Sequence, residues 1–325
     1  MTVNPPPSIE RGIGDAMKIH GLCVVKNEAD IIGETLRAAA RWCDSIYVLD
    51  NGSTDDTWKK VKLLALQLPQ VIPFMRDRRP FDDSIRGRIL RYHRDRAARD
   101  DWWCILDADE FYIDDPRDFL SRIPRRYQAV WMQLYAYLFT DKDLVSYRQD
   151  PARFQATPIE QRLRHYVNGD YSELRFFRHS SSLEHVPGAG LHPIYPQRIR
   201  MKHFSYRSPE QIQSRLETRR EPMQRGEFLH EKRANWVMNG RIVPGPAKPS
   251  DMPQSWQERL KLSARCHLDH QDGIFAQEES AWVPPKPPVW TARLRSHAHS
   301  LLKRMGYGPA RNRKFGYGGT NEIAT

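Results

Sequence analysis

Short apolar runs alternate with amphipathic segments over the first hundred residues, which is the pattern of a βαβ arrangement. Ile19–Val25 and residues 45–49 are apolar enough to form buried strands. Between them, residues 30–43 place apolar side chains at intervals of 4, 4 and 3, which predicts a helix with one buried face. These side chains are Ile32, Leu36, Ala40 and Cys43. Trp102–Leu106 predicts a further buried strand.

A polar turn follows the strand at residues 45–49. Residues 50–54 read Asp-Asn-Gly-Ser-Thr, and Asn-Gly is typical of a turn. Ser53 or Thr54 can cap the next helix, whose apolar face carries Trp58, Val61 and Leu64. Open α/β sheets bind ligands at the carboxyl ends of their strands, so the polar residues here are candidates for a binding site.

Two carboxylates on alternate residues, Asp107 and Asp109, come directly after the strand Trp102–Leu106. Alternate side chains along a strand point the same way, so these acids are expected to lie together. Like charges raise each other's pKa, and burial deprives both of hydration. Mg2+ or Mn2+, which prefer oxygen ligands, would relieve both costs and would favour a phosphate ligand. Acids in a solvated turn can have the same spacing, so the pattern alone leaves both interpretations open.

Three motifs together resemble the nucleotide-binding half of the family 2 glycosyltransferases. They are residues 25–28 (Val-Lys-Asn-Glu), 50–55 (Asp-Asn-Gly-Ser-Thr-Asp) and 106–111 (Leu-Asp-Ala-Asp-Glu-Phe). The Asp-Ala-Asp-Glu-Phe form is most similar to a bacterial branch of that family. The resemblance extends over about residues 17–115 and thins through about residue 220. It implies the GT-A-type α/β fold, a Rossmann-like mixed and mostly parallel sheet flanked by helices.

The resemblance also implies a nucleotide-sugar donor, a Mn2+ or Mg2+ cofactor and a role for each matching position. Asn27 and Glu28 would lie near the base or ribose, and Asp50 would contact the base or ribose. Asp107 would lie near the ribose and metal, while Asp109 would ligate the metal that bridges to the diphosphate. The implied donor-contacting positions are Val25, Asn27, Glu28, Asp50, Ser53, Asp107 and Ala108. Without the resemblance, a turn cap would explain Asp50, and a favourable charge in a first helical turn would explain Glu28.

Residues 81–99 form an arginine-rich segment that predicts one helix, with Ile85, Ile89, Tyr92 and Ala97 facing the core. In similar transferases a basic residue of this helix reaches toward the nucleotide. The sequence does not distinguish among its six arginines, which are Arg86, Arg88, Arg91, Arg94, Arg96 and Arg99.

Residues 116–220 are predicted to form the acceptor half. Residues 128–137 and 173–178 read as strands, and residues 199–207 lead into Ser208-Pro209, a typical helix start. The string from His203 to Glu210 resembles the same bacterial branch, in which a histidine at this place can complete the metal or diphosphate site. His203 is therefore a candidate metal ligand, with a structural histidine as the alternative.

An inverting transferase needs a base, because the acceptor hydroxyl must lose its proton as it attacks the anomeric carbon. The Glu-Asp pair of better-known members is not recognisable in this sequence. Glu184, beside a loop that contains two histidines, is the first candidate, and Glu173 is the second. Each could instead be structural.

Basic residues are concentrated at the carboxyl terminus. The net charge of the 325 residues is +11, and residues 283–325 contain eight Lys or Arg with Glu322 as their acid. Such a segment is either a solvated face or a peripheral contact with an anionic surface such as a membrane. Its apolar side chains from Trp290 to Met305 predict a helix that lies on a membrane or packs on the catalytic domain.

The expected organisation is a disordered leader (1–16), a transferase domain (17–220) and a helical, proline-rich basic region (221–325). The transferase domain would comprise a nucleotide and metal half (17–115) and the acceptor half. No apolar run approaches the ~20 residues of a membrane span, and the four cysteines lack the spacing of a metal site. These features favour a cytoplasmic protein, and the basic terminal segment allows a peripheral position at the inner face of the membrane.

The sequence therefore predicts an inverting, cation-dependent glycosyltransferase that acts on a hydroxyl of a cell-surface glycan or lipid-linked saccharide. A sugar-phosphate nucleotidyltransferase is one alternative, although residues 26–28 replace the glycine- and arginine-rich phosphate loop of such enzymes. A catalytically silent protein that binds sugars or anionic surfaces is the other. A nucleic-acid-binding protein would not explain acids at three strand ends, because they repel phosphate.

Overall fold

A computed structural model describes residues 16–81, 83–169, 172–188, 191–224, 237–238, 241–242, 255–269, 275 and 282–286. The chain divides into two compact units, Met1–Pro285 and Lys286–Thr325. Apart from Lys286, every described residue lies in the first unit.

The first unit contains a mixed sheet and a separate hairpin. The strands are β1 (Ile19–Val25), β2 (Ser45–Asp50), β3 (Val71–Arg76), β4 (Trp102–Leu106), β5 (Glu110–Tyr112), β6 (Ala129–Tyr137), β7 (His165–Asn168), β8 (Leu174–Arg178), β9 (Ile199–His203), β10 (Val237–Met238), β11 (Arg241–Ile242) and β12 (His267–Leu268). In the mixed sheet β12-β7-β6-β8-β4-β1-β2-β3 are successive neighbours, while β5 pairs with β9 and β9 also pairs with β6. Strands β4, β1, β2 and β3 are parallel, whereas β8 runs antiparallel to β4 and β6. The hairpin joins β10 and β11.

Helices cover both faces of the parallel part of this sheet. The α-helices are α1 (Ile32–Ala39), α2 (Thr57–Ala65), α3 (Arg86–His93), α4 (Pro116–Ser121), α5 (Asp141–Gln149), α6 (Pro151–Ala156), α7 (Ile159–Arg162) and α8 (Pro209–Gln224). Because strand side chains alternate, Cys23 of β1 packs in the same core as α1 and α2, while Leu22 packs with Ile89 of α3. Burial on both faces explains why these strands are almost continuously apolar.

The predicted α/β fold is confirmed, and the strands expected at residues 19–25, 45–49, 102–106, 128–137 and 173–178 are present to within one residue. The helix expected at residues 30–43 is shorter, since α1 ends at Ala39. Ser208 is the residue before α8, and its hydroxyl accepts from the Gln211 amide, as its N-cap position predicts. Strand β3 was not predicted from the sequence.

Two local predictions are wrong. Ser53 and Thr54 do not cap α2, because the residue before that helix is Asp56 and no side-chain cap is formed. The hydroxyl of Ser53 instead accepts a hydrogen bond from the Asn27 amide at 3.0 Å. Residues 81–99 do not form one helix. Helix α3 lies between two 3-10 turns, and Tyr92 is 57% exposed rather than in the core.

The carboxyl-terminal region joins the sheet where it is described. Strand β12 pairs with β7, and Lys261 bridges to Thr140. The described residues beyond Gln224 form short strands and 3-10 turns, whereas the helix predicted at residues 290–305 lies outside the described residues. The domain division at residue 220 stays a prediction, and α8 continues through it. Within the described part of the chain, no helix is long and apolar enough to cross a membrane.

Candidate active site

Three neighbouring parallel strands bring their acidic turns to one edge of the sheet. In β1, Val25 is level with Asp50, the last residue of β2, and Cys23 is level with Leu106, the last residue of β4. The residues that follow these strands therefore meet at the carboxyl edge. Asn27 and Glu28 follow β1, and Asp107 and Asp109 follow β4.

Asp107 is held between two guanidinium groups from different elements. Arg86, the first residue of α3, donates to its Oδ1, and Arg175 of β8 donates to its Oδ2 at 3.4 Å. Burial favours the protonated form of Asp107, but the charges of Arg86 and Arg175 outweigh it and lower the pKa of Asp107. Of the six arginines in the 81–99 segment, the structure places Arg86 on the acid motif.

Asp109 is buried and meets cations contributed by β9 and α8. Its Oδ2 lies 3.3 Å from His203 Nε2 and 3.1 Å from Arg215 Nη1. Burial would raise the pKa of Asp109, yet His203 and Arg215 hold that pKa well below its usual range. Burial alone would lower the pKa of His203, but the Asp109 carboxylate raises it. The pairing of β5 with β9, which sets Glu110 opposite His203, accounts for this approach.

Arg207 connects the turn after β1 to the start of α8. It is fully buried, its Nη2 donates to Glu28, and its Nε and Nη2 donate to the two oxygens of Asp30 at 2.7 and 2.8 Å. Burial raises the pKa of Glu28, and Arg207 partly opposes that rise. In Asp30 the effect of Arg207 exceeds that of burial, so the pKa is lowered. Arg207 therefore supplies a counter-charge to both Glu28 and Asp30.

Arg175 also gathers the acids beside Asp107. Its Nη2 donates to Glu110, and its Nη1 donates to Glu173 at 3.0 Å. Burial raises the pKa of Glu110 to about 7, against the lowering effect of Arg175. Burial likewise raises the pKa of Glu173, which remains partly exposed.

One carboxylate oxygen of Asp50 is hydrogen-bonded, and the other has no hydrogen-bond partner. Its Oδ1 accepts from the amides of Gly52 and Ser53 at 2.9 and 2.8 Å, and Gly52 adopts φ 77°, which glycine tolerates. Its Oδ2 is buried and has no hydrogen-bond partner. Buried acceptors are rarely left unsatisfied, so this oxygen is a candidate contact for a bound molecule.

Asn27 supports the same turn from the neighbouring strand. It adopts φ 55°, a left-handed conformation in which asparagine is enriched. Its Oδ1 accepts from the Thr54 amide at 2.8 Å, and its Nδ2 donates to Thr218 of α8 at 3.2 Å. These bonds tie the turns after β1 and β2 to α8.

The predicted site residues do not all meet. The structure brings five of them into two neighbouring groups of charges: Arg175 joins Asp107 to Glu173, and Asp109 pairs with His203 and shares Arg215 with Glu28. Val25 and Ala108 are buried and contribute backbone oxygens, which accept from the Asn51 amide and from the Thr35 hydroxyl. Glu184 is exposed on a segment beside α3, where its backbone oxygen accepts from Arg91 at 3.5 Å.

The sequence did not single out the arginines that neutralise these acids. Apart from the Arg175–Glu173 pair, Arg175, Arg207 and Arg215 lie 65 to 187 residues from the carboxylates they contact. A weak signal was present in β8 and at the start of α8, where a charged residue stands within an otherwise apolar or capping sequence. Such a residue is buried only when it is paired.

A divalent cation would find an incomplete protein site here. Among the described residues, no group of three His, Cys, Asp or Glu side chains is arranged to hold a metal ion. Asp109 and Asp107 could each supply an oxygen, and His203 could supply a nitrogen after its ion pair with Asp109 is broken. Mg2+-type sites commonly use one or two carboxylates together with substrate phosphates. The donor set therefore fits a cation that arrives with a phosphate.

Comparison with protein families gives a match over residues 22–186 to the model described as glycosyl transferase family 2. This range contains all three motifs at the carboxyl edge of the sheet and includes Glu173 and Arg175. No curated protein matches the chain.

Several solved structures share part of the fold. A mannosyltransferase from Pyrobaculum calidifontis, solved with GDP-Man and Mn2+, is 17% identical with a TM-score of 0.29, over 41% of this chain and 39% of that one. TarS of S. aureus with UDP is 14% identical with a TM-score of 0.26, over 38% of this chain and 36% of that one. Glucosyl-3-phosphoglycerate synthase from Mycobacterium tuberculosis with phosphoglyceric acid is 14% identical with a TM-score of 0.24, over 50% of this chain and 57% of that one. At such TM-scores nothing further follows for this chain.

Proposed function

This chain belongs to glycosyl transferase family 2 and is a glycosyltransferase, and from that premise we propose that it transfers a sugar from a nucleoside diphosphate donor to a hydroxyl acceptor. The observation that carries the proposal is the convergence of Asp50, Asp107 and Asp109 at one sheet edge. Ligands of open α/β sheets bind at this edge.

In this proposal the nucleoside lies against Asp50, and the diphosphate lies against the Asp107–Asp109 turn. The unpartnered Oδ2 of Asp50 supports the first contact, since a ribose hydroxyl or a base N–H could donate to it. Arg86 and Arg215 support the second contact. Both already lie on the acid turn, and guanidinium groups match phosphate geometry.

We further propose that a divalent cation, Mn2+ or Mg2+, binds together with the donor. Asp109 and Asp107 would hold it, with His203 as a possible further ligand, and the diphosphate would supply the remaining oxygens. When bound, the cation offsets the negative charge that builds on the leaving diphosphate. Arg86 and Arg215 would then be free to turn from the carboxylates to the phosphate oxygens.

Glu173 is the better placed of the two candidate bases. It borders the Asp107 cluster, is partly exposed and has a raised pKa, whereas Glu184 lies on the exposed segment beside α3. Glu173 would accept the acceptor hydroxyl proton while the oxygen attacks the anomeric carbon. The bond from that carbon to the phosphate oxygen breaks as the new bond forms, so the configuration at the anomeric carbon is inverted and nucleoside diphosphate is the leaving group.

A panel of nucleotide-sugars tests the reaction. The enzyme is expected to hydrolyse one of them slowly with Mn2+ and to be thermally stabilised by the matching diphosphate, while Asp109→Asn shows neither effect. Glu173→Gln should lose transfer and retain donor binding, and Glu184→Gln is the matched control. Cation-independent binding, or a full loss of transfer in Glu184→Gln with normal Glu173→Gln, would overturn the corresponding assignment.

The acceptor remains a proposal of class, a cell-surface glycan or lipid-linked saccharide. The basic residues 283–325 suit an acceptor at an anionic membrane surface, and residues 287–325 lie outside the described part of the chain. Attachment of this kind should weaken steeply as salt rises to physiological strength, where the screening length is about 8 Å. Sedimentation of the full chain with phosphatidylserine vesicles, against the chain truncated at residue 282, measures it.

A further inference from the structure

A cavity of about 530 Å3 opens where the chain enters β9. It is lined by Asp114 and by residues from α4, β6, the segment before β9, β9 itself and the segment at residue 282, and Asp50, Asp107 and Asp109 are not among them. The lining residues that matter to its chemistry are Phe119, Tyr195, Trp282, Arg122, Arg198 and Arg200.

The cavity is separate from the proposed donor site. Arg200, which lines it, and His203, which meets Asp109, are three residues apart in β9. At about 3.3 Å per residue they are separated by about 10 Å, and an odd spacing puts them on opposite faces of the strand. A molecule in this cavity would therefore leave the edge of β1, β2 and β4 open.

Aromatic side chains form one part of the wall. The ring of Trp282 lies 6.5 Å from that of Trp131, centroid to centroid, and the ring of Tyr195 lies 6.0 Å from Phe119 at 90°. These contacts hold the rings in place, so little side-chain entropy would be lost when a ligand packs against them. Aromatic rings offer apolar area to a ligand that also carries polar groups.

The charged part of the wall is positive. Asp114 is occupied by Arg200, whose Nη2 and Nε donate to its Oδ1 at 2.7 and 3.1 Å. The guanidinium of Arg198 lies 5.3 Å from the Trp282 ring centroid, and Arg122 pairs with Asp118 where both are largely exposed. Arg122, Arg198 and Arg200 outnumber Asp114 among the lining side chains, so the wall contains more positive than negative groups.

We propose that this cavity is a second carbohydrate site, which binds a saccharide unit bearing a carboxylate. Trp282 and Tyr195 would pack against the sugar, Arg198 and Arg122 would bind the carboxylate, and the amides of Gln133 and Gln197 would contact hydroxyls. The volume lies within the range for small-molecule sites and suits one or two sugar rings. As an acceptor subsite the assignment rests on the proposed function, whereas binding itself does not.

Binding of cellobiuronic acid, with neutral cellobiose as its matched comparison, tests the site at physiological salt. The full chain is titrated by calorimetry, and the acid is expected to bind at least ten-fold more tightly than cellobiose. Arg198→Ala and Trp282→Ala should each weaken the acid at least ten-fold, and Arg198→Glu should abolish its binding. Arg41→Ala, which removes an exposed arginine that does not line the cavity, should bind as the wild type does.

Other ligands separate the chemical classes. If inorganic phosphate binds as tightly as cellobiuronic acid, the cavity is a general anion site and the saccharide assignment is wrong. If a nucleoside monophosphate binds there more tightly than the acid, the ligand is a nucleotide and not a saccharide. Unchanged binding in both Arg198 variants would overturn the site. Thermal melting of each variant identifies unfolding, and Arg198→Glu still decides the matter if Trp282→Ala is unstable. Nucleotide-sugar binding is measured in the same experiments. If no nucleotide-sugar binds, the proposed function fails, while the saccharide titrations still decide whether the cavity is a binding site.

Discussion

The site is assembled from two regions of the chain with opposite charge. Residues 28–110 supply one cation, Arg86, and the carboxylates Glu28, Asp30, Asp107, Asp109 and Glu110, whereas residues 175–215 supply Arg175, Arg207 and Arg215 together with His203. The first region belongs to the parallel strands and their turns. The second belongs to β8, β9 and α8, of which β8 runs antiparallel to β4 and β9 runs antiparallel to β5.

This difference separates what each half contributes to stability and to binding. Carboxylates so close together repel one another. The neighbouring cations lower the pKa of Asp107 and Asp109 and partly oppose the rise that burial causes in the pKa of Glu28 and Glu110. A bound cation and diphosphate could take over the same task. The arginines of the second half therefore neutralise the acids, and the acids of the first half are the groups that a cation would contact.

The largest expected effect comes from removing the most deeply buried of these arginines. Arg207→Met leaves Glu28 and Asp30 without their main counter-charge, and breaking a buried ion pair from one side costs about 3–5 kcal/mol of unfolding free energy. Urea denaturation followed by circular dichroism measures the loss.

Arg125→Met is the matched control. Arg125 pairs with Asp100 at 2.8 Å but is 84% exposed, so the expected change is about 0–1 kcal/mol. Equal losses in the two variants would show that the acids do not depend on Arg207. Adding Glu28→Gln to Arg207→Met should recover part of the stability, because one uncompensated charge is removed.

The next effect concerns the ligand rather than the fold. Asp109→Asn keeps the shape of the side chain but removes the charge that a cation and its phosphate would need. We expect nucleoside diphosphate with Mn2+ to bind at least 100-fold more weakly, which is about 2.7 kcal/mol. Isothermal titration calorimetry measures this affinity.

Asp118→Asn serves as the control, since Asp118 is an exposed acid whose ion pair is with the similarly exposed Arg122. It should bind nucleotide as the wild type does. Wild-type affinity in Asp109→Asn, with Mn2+ still required, would remove Asp109 from the metal site. Tight binding of Mn2+ to the wild-type protein without nucleotide would contradict the inference that phosphate completes the site.

Much of the first region could be predicted from the sequence because its structure is local. Strand β1 has the limits that its apolar run indicates, and Asp50 and Asp107 lie at strand ends because turn residues stand directly after apolar runs. Family resemblance then supplied the type of fold. By contrast, helix α1 begins and ends inside its periodic pattern, since tertiary contacts decide where the last turns unwind.

The second region could be predicted only in outline. Strand β8 and the start of α8 follow from pattern, but the partner of Arg175 or Arg207 depends on how strands far apart in sequence are ordered in the sheet. From the sequence alone Glu184 ranks before Glu173 as a candidate base, and the pairing of β8 with β4 is what brings Glu173 beside Asp107. Strand order carries that information, and composition does not.

Asp50 offers a test confined to the first region. Asp50→Asn can keep the Oδ1 acceptor for Gly52 and Ser53 and replaces the unpartnered Oδ2 by an amide. Donor binding should weaken by about 1–3 kcal/mol, the usual cost of an unmatched buried polar group, while the cation requirement persists. Calorimetry with pyrimidine and purine diphosphates measures it, and identical affinities in both proteins would show that Asp50 contacts nothing on the nucleoside.

The smallest expected effect is on the pH dependence of stability, and it concerns His93 of α3. Its ring stacks on Tyr47 at 3.8 Å, lies 5.0 Å from Phe74 and 4.8 Å from Tyr92, and neither ring nitrogen has a hydrogen-bond partner. Burial lowers the pKa of His93 to about 3, and the charge of Arg96 and the neighbouring His20 add to the effect. The folded protein therefore keeps this ring neutral in moderate acid.

The sign of the pH effect follows from that low value. Below the ordinary histidine pKa of about 6.5 the unfolded chain binds a proton that the folded chain does not, so stability falls as the pH drops toward 3. The contribution is on the order of 1 kcal/mol per pH unit. His93→Phe removes it, so the difference in unfolding free energy between variant and wild type should grow between pH 6.5 and 4.5. Between pH 7.5 and 8.5 that difference should stay constant, which separates proton binding from a change in packing. A difference equally constant in acid would mean that His93 is protonated in the folded protein and that its stacked position is not desolvated.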